Sequence, residues 1–383
     1  MAQLVSGPGS AMTYQPSFGR TVVIHTPVSS RFCATHERLA HLEIGRRIAA
    51  LTGACFGGEF EAGGDCAGRR YFLPTDTIVG LDEARRLGIT TERDLLGGVV
   101  PYAFVGTKAI THGLISEQAR SPPNWSPGFA ADVRSIVPRG YTAFGVEDAR
   151  VAVDRLLADG PVRVKPVKAT GGRGQSVLCS AAEFDAILEK LDLDELVQFG
   201  LVLEENLSAP VTYSVGQIRF HGLIASYYGI QKLVKDNGGQ TAYGGSDLVV
   251  ARGSYDELAG LTEPAEEIRN AIVQAQQYDA AATRHFPEII ASRRNYDVIA
   301  GTTASGQRCS GVLEQSWRIG GATPAELMAI EAFAVDPDLK TTEVSSVEAY
   351  GAGAPRPANA VVFYEGIDEQ IGPITKYAHR RNL

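Results

Sequence analysis

Residues 162–176 read VRVKPVKATGGRGQS, and no other stretch of this chain restricts its fold as much. An apolar, β-branched run carrying Lys165 and Lys168 leads directly into a glycine-rich turn with Arg173 among the glycines. The run predicts a strand and the glycines a tight reversal. SVLC behind them predicts a return strand, so the unit is a β-hairpin with a long glycine tip. A P-loop places its lysine after the glycines, where a helix begins. Here the lysines come first, which points to a different kind of anion-holding element, or else to a plain surface hairpin.

Elements alternate before the hairpin. TVVIHT (21–26) reads as a strand, and Leu39, Leu42, Ile48 and Leu51 follow at helical spacing with Gly53 as the stop. YFLP (71–74) is a second strand, DEARRLG and ERDLLGG are short helices or turns, and 118–130 is a Pro-rich loop. A helix over 147–160 precedes the hairpin. Behind the hairpin, Ser180 to Glu183 reads as a capping box, and LVLEENL (201–207) is strand-like. Beyond that the pattern becomes antiparallel, with turns at His221-Gly222, Asp236-Asn237-Gly238 and TTASGQ. A long helix spans about 264–285. Thr323, Pro324 and Glu326 read as an N-cap, a first-turn proline and a capping-box acid. GAGAPRPANA predicts a linker to one last strand.

The expected organisation is therefore α/β and α+β. It runs from a flexible N-terminus (1–20) and an α/β unit (21–105) through a linking part (106–161) to the hairpin subdomain (162–208). A larger antiparallel subdomain (209–350) and a C-terminal strand and tail (351–383) follow. At 383 residues with 44% apolar and 21% charged side chains, the composition is that of a soluble globular chain. A net charge of −8 argues against a nucleic-acid partner. No apolar run is long enough to span a bilayer, and the start lacks a basic segment followed by an apolar one, so a cytoplasmic location without membrane association is expected. The five cysteines are scattered without a C-x-x-C pair and fit reduced thiols.

Two carboxylates bear on chemistry. Asp297 lies in one strand of the TTASGQ hairpin and Glu314 in the other, and antiparallel partners can bring side chains to about 5 Å on one face. Glu314, Ser316 and Arg318 alternate by two and share a side. Acid, hydroxyl and guanidinium together suit a divalent ion with a phosphate, or else a solvated outer face with a loose ion pair. Arg293 and Arg294, just before Asp297, suit an acceptor carboxylate or a transferred phosphoryl group, or plain surface charge.

The order of these motifs resembles the ATP-grasp superfamily of ATP-dependent carboxylate ligases, in a bacterial branch of it. The resemblance covers roughly residues 100–335, with the first third suited to the domain that precedes the grasp fold. It implies a nucleotide held between two α+β subdomains. Lys165 matches the strand lysine, and Thr170, Gly171, Gly172, Arg173 and Gly174 match the closing loop. L-E-E-N-L (203–207) matches the hinge, which implies Glu204 and Glu205 along adenine and ribose and a backbone contact from Leu207. Lys108 stands where an earlier nucleotide lysine is often found. Glu314 and Arg318 match the ends of E-x-N-x-R, with Asp297 the acid of the preceding strand. Ser316 replaces the usual asparagine, which implies a weaker second metal position. The implied cofactors are ATP and Mg2+ (or Mn2+), and the implied metal ligands are Asp297, Glu314 and Ser316. Arg318, with Arg293 or Arg294, would stabilise the developing charge. The implied reaction activates a small-molecule carboxylate as an acyl phosphate for attack by an amine or thiol, in a chain for which a homodimer is compatible. A kinase on the same fold, or a non-catalytic nucleotide-binding protein, are the alternatives.

Overall fold

The computed structural model describes residues 20–27, 34–62, 68–168 and 174–381. Four residues of the glycine turn (Thr170, Gly171, Gly172 and Arg173) lie outside the described residues, as do the N-terminal 19.

The first unit is a three-stranded parallel sheet with Arg20–His25 between Cys55–Glu59 and Arg69–Pro74. Parallel strands need a crossover, and the helix Thr35–Thr52 supplies it, stopping where Gly53 turns left-handed at φ 64°. A small second sheet, in which Gly98–Val100 pairs with both Ile78–Val79 and Ile290–Ala291, ties this unit to the later half of the chain.

The glycine hairpin belongs to a four-stranded antiparallel sheet in the order Gly140–Ala143, Leu201–Glu205, Val162–Pro166, Ser176–Leu178. Val162, Val164, Leu178 and Leu203 turn one face onto Val153, Phe184 and Leu196 of the covering helices. That face is apolar, so Arg163, Lys165 and Glu204 are left on the other. The sheet begins at Gly140, within the stretch expected only to link. Glu183 accepts from the Cys179 amide (2.9 Å) rather than from Ser180, and Ser180 makes no side-chain cap, so the expected capping box does not form.

The large sheet has eight antiparallel strands in the order Arg308–Ser316, Arg293–Thr302, Ser208–Phe220, Leu223–Lys235, Thr241–Arg252, Thr341–Tyr350, Gly372–Arg380 and Val361–Asp368. The tail therefore contributes two strands rather than one. The two-residue turn at His221-Gly222 has φ 47° and 88°, the left-handed pair that a tight hairpin requires. One face of the sheet packs on the helix Glu266–His285 through Ala271, Ala275 and Tyr278. The other packs on Thr323–Val335 and the N-terminal helix through Ile330, Phe333, Ile44 and Ile48. The proline loop ends sooner than expected: Ser126 accepts from the Phe129 amide (3.2 Å) and Pro127 opens the short helix Pro127–Val133. Together these parts are an α/β pre-domain followed by two α+β subdomains, the ATP-grasp layout that the resemblance implies.

Candidate active site

On the inner face of the four-stranded sheet, Lys165 and Glu204 form a buried ion pair, each no more than 5% exposed. His112 Nε2 lies 2.9 Å from the other Glu204 oxygen. Burial alone would raise the Glu204 carboxyl, but Lys165 and His112 outweigh it and hold it down at about 2. Beside it, Arg163 donates to Asn206 Oδ1 (2.7 Å) and Gln175 Oε1 (3.1 Å), joining the hinge to the base of the glycine turn. Burial lowers the affinity of the Arg163 guanidinium for its proton, and Glu204 opposes that shift.

On the large sheet, Asp297 stands directly opposite Glu314. A bulge at Leu313 interrupts the ladder there, because Val298 pairs with Val312. Gln315 and Trp317 are buried, so Glu314, Ser316 and Arg318 share the opposite, partly open side. Gln231 donates to Asp297 Oδ1 (2.7 Å), and Lys108 Nζ lies 3.3 Å from Glu314 Oε2. Burial and then the Glu314 charge push the Asp297 carboxyl up to about 7, against the pull of Gln231, Arg293 and Lys108. Two carboxylates so placed are under-compensated for positive charge.

One short segment joins the two half-sites. Lys108–Thr111 is a single 3-10 turn, with Lys108 reaching Glu314 and His112 reaching Glu204. On the hairpin side, Thr142 Oγ1 donates to the Ala109 carbonyl (2.7 Å) and the Thr142 amide to Gly113 (3.0 Å). On the other side, Gln315 Nε2 donates to the carbonyls of Val105 (2.7 Å) and Thr107 (2.9 Å), and Thr111 donates to Leu313 (3.2 Å). The lysine of one sheet and the carboxylates of the other are therefore held in fixed relation. The hinge also touches both: the Glu205 amide donates to Arg139 (2.8 Å), and Cys309 Sγ lies 3.7 Å from Glu205 Oε1.

Three expectations change. Arg293 does not face the site, and is 1% exposed, with Nε and Nη2 each 2.7 Å from Glu326. Its remaining nitrogen donates to the carbonyls of Ser316 (3.1 Å) and Arg318 (2.5 Å), so it supports the strand from beneath. Glu326, expected to cap a helix, is the buried counter-ion that makes this possible. Arg294 points to the other face and pairs with Asp279, which Tyr296 also contacts. Period-two alternation separates Arg294 from Asp297, whereas Arg293 shares the Asp297 face but lies deeper under the helix Thr323–Val335. Glu204, on the hinge strand, is engaged with Lys165 and His112. His112, Gln231, Gln315 and Arg163 were not legible as site residues. Each is defined by a partner far away in sequence, and only the position of His112 four residues after Lys108 offered a local signal.

Among the described residues no three or more His, Cys, Asp and Glu side chains cluster as an all-protein metal cage. Mg2+ does not need one, since it is commonly held by one or two carboxylates with substrate phosphate and water. The crowded Asp297–Glu314 pair fits that mode.

The family described as "Protein of unknown function (DUF3182)" matches residues 23–378. The chain belongs to this family. No curated protein matches it. Among solved structures, it aligns with a biotin carboxylase–β-γ-ATP complex from Campylobacter jejuni at 10% identity and a TM-score of 0.48, covering 94% of this chain and 87% of that one. It aligns with phosphoribosylamine–glycine ligase from Thermotoga maritima at 15% identity and a TM-score of 0.48, covering 94% and 90%. D-alanine–D-alanine ligase from Bacillus anthracis, complexed with ATP, aligns at 13% identity and a TM-score of 0.41 over 78% and 86%. No helix of the described residues is long and apolar enough to cross a membrane.

Proposed function

We propose that this chain is an ATP- and Mg2+-dependent ligase that activates a small carboxylate as an acyl phosphate for attack by a nitrogen or sulfur nucleophile. The observation that carries the reading is the Lys108–His112 segment, which holds the Lys165–Glu204 pair of one sheet and the Asp297–Glu314 pair of the other in fixed relation. Phosphoryl transfer needs little covalent help from a protein and much positioning and charge neutralisation. Lys165, on the hairpin sheet, and Lys108, beside Glu314, would supply positive charge to the phosphates. Asp297 and Glu314, with Ser316 beside them on the same face, are the residues that would hold Mg2+. When bound, the ion would supply further neutralisation of phosphate charge.

The substrate carboxylate attacks the γ-phosphorus as ADP departs, and the nucleophile then displaces phosphate from the acyl carbon. Arg318 faces this place and balances the charge that develops. Hydroxylamine is the test. A ligase incubated with Mg-ATP and its carboxylate traps an acyl hydroxamate, whereas a kinase acting on a stable acceptor traps none. A phosphorylated acceptor that resists hydroxylamine would establish the kinase reading instead.

A further inference from the structure

Asp76 belongs to no motif of the site. It follows the strand Arg69–Pro74, at the carboxyl end of the parallel sheet, which is where open α/β sheets receive ligands. The Thr75 amide donates to the His25 carbonyl (2.9 Å), and Thr75 Oγ1 meets Thr26 Oγ1 at 3.2 Å, so the two strand ends form one polar rim. That rim is fastened to the catalytic sheet, since the Ile319 amide donates to the Pro74 carbonyl at 3.1 Å. Asp76 Oδ1 accepts from the Thr77 amide (2.8 Å) and lies 3.9 Å from Arg318 Nε, beyond hydrogen-bonding range. Arg318 is the one cationic side chain within 4.0 Å of it among the described residues, and Oδ2 has no hydrogen-bond partner there. The Asp76 side chain is 40% exposed. A carboxylate with an uncommitted oxygen thus stands beside Arg318, at one end of the Glu314–Ser316–Arg318 face.

We infer that Asp76 binds and deprotonates the attacking nucleophile, and that this nucleophile is an amine rather than a thiol. The inference rests on the ligase reading above. An aliphatic amine arrives as an ammonium ion, for which a carboxylate is both counter-ion and proton acceptor. A thiol arrives neutral or as an anion, which the same carboxylate disfavours. Asp76 takes one proton from R-NH3+, and the freed lone pair attacks the acyl carbon. The C–N bond forms as the C–O bond to phosphate breaks. The leaving phosphate keeps that electron pair and accepts the second nitrogen proton, giving amide, hydrogen phosphate and a protonated Asp76 that returns its proton to water. Arg318, next to Asp76, holds the negative acyl phosphate oxygens against the incoming nitrogen.

The experiment measures ADP release from Mg-ATP by the full chain over one common pool of small carboxylates. Acceptors are ammonia, glycine, lysine and putrescine in one arm, and cysteamine and coenzyme A in the other. Nucleotide-induced stabilisation is recorded in parallel on wild type and Asp76→Asn. The expected result is stimulation by the amine arm alone, reduced about 100-fold in Asp76→Asn at pH 7. The loss should recover about tenfold per pH unit towards the amine pKa, as free amine replaces ammonium, while nucleotide-induced stabilisation stays intact. A merely structural Asp76 would give no such pH-dependent rescue. Stimulation by thiols alone, no stimulation by amines, or an Asp76→Asn variant that keeps wild-type amine turnover would overturn the assignment. Loss of nucleotide stabilisation in wild type would instead remove the ligase reading beneath it.

Discussion

At the scale of the residue, buried charge organises this molecule. Glu204 is ionised inside the protein because Lys165 and His112 hold it so. Its folded pKa, about 2, lies below the ordinary value of about 4.3. The pair therefore contributes stability above about pH 4, which is lost as pH falls towards 2. The shift corresponds to about 3 kcal/mol, so urea midpoints of wild type should fall more steeply between pH 4.5 and 2 than those of Glu204→Gln. Parallel slopes would mean that the carboxylate is not depressed. Arg293 makes the second test. Removing it in Arg293→Met strands Glu326 in the core and should cost about 3–5 kcal/mol by urea unfolding, and Arg293→Met combined with Glu326→Leu should restore much of this. The double variant should still bind nucleotide if Arg293 acts only from beneath the strand. Arginine followed by a turn and an acid reads as surface charge in a sequence, and its counter-ion, 33 positions on, read as a helix cap. Local propensity placed Glu326 correctly on the helix but could not reveal which side of it was occupied.

At the scale of the element, hairpins with left-handed turn residues were the most legible features. Turn chemistry acts locally, so His221-Gly222 announces itself, and the turn at Asp236-Asn237-Gly238 places its left-handed residue one position on, at Gly239 (φ 75°). The alternation of Glu314, Ser316 and Arg318 survives because the bulge at Leu313 precedes it. The Lys108–His112 segment was hidden for the opposite reason. Its conformation is set by hydrogen bonds to Thr142, Leu313 and Gln315, none of which leaves a periodic trace. The hinge offers a test at this scale. A Cβ on Gly301 would come 2.9 Å from Leu207 Cβ and 3.1 Å from the Ser208 carbonyl oxygen, so Gly301→Ala must displace the hinge backbone. The variant should lose about 1–3 kcal/mol of stability and bind an ATP analogue about tenfold more weakly by calorimetry, a change of about 1.4 kcal/mol. Unchanged affinity would detach the hinge from the nucleotide.

At the scale of the whole molecule, the order of parts was readable: an α/β unit, a glycine hairpin sheet, then a large antiparallel sheet. Boundaries were less so. The strand Gly140–Ala143 joins the hairpin sheet from outside the expected range, and the last two strands extend the large sheet, because sheet membership depends on pairing across long stretches of chain. How the rim of the first unit meets the Glu314–Arg318 face is a relation between distant segments that no local pattern records.

The central claim is that Lys165 and the Asp297–Glu314 pair belong to a single nucleotide site. Thermal unfolding with and without a non-hydrolysable ATP analogue and Mg2+, on wild type, Lys165→Ala and Glu314→Gln, tests it most directly. Ligand at about 100 times its Kd should stabilise wild type by about 2.7 kcal/mol, and both variants should lose most of that gain. No shift in wild type, or full shifts in both variants, would contradict the account.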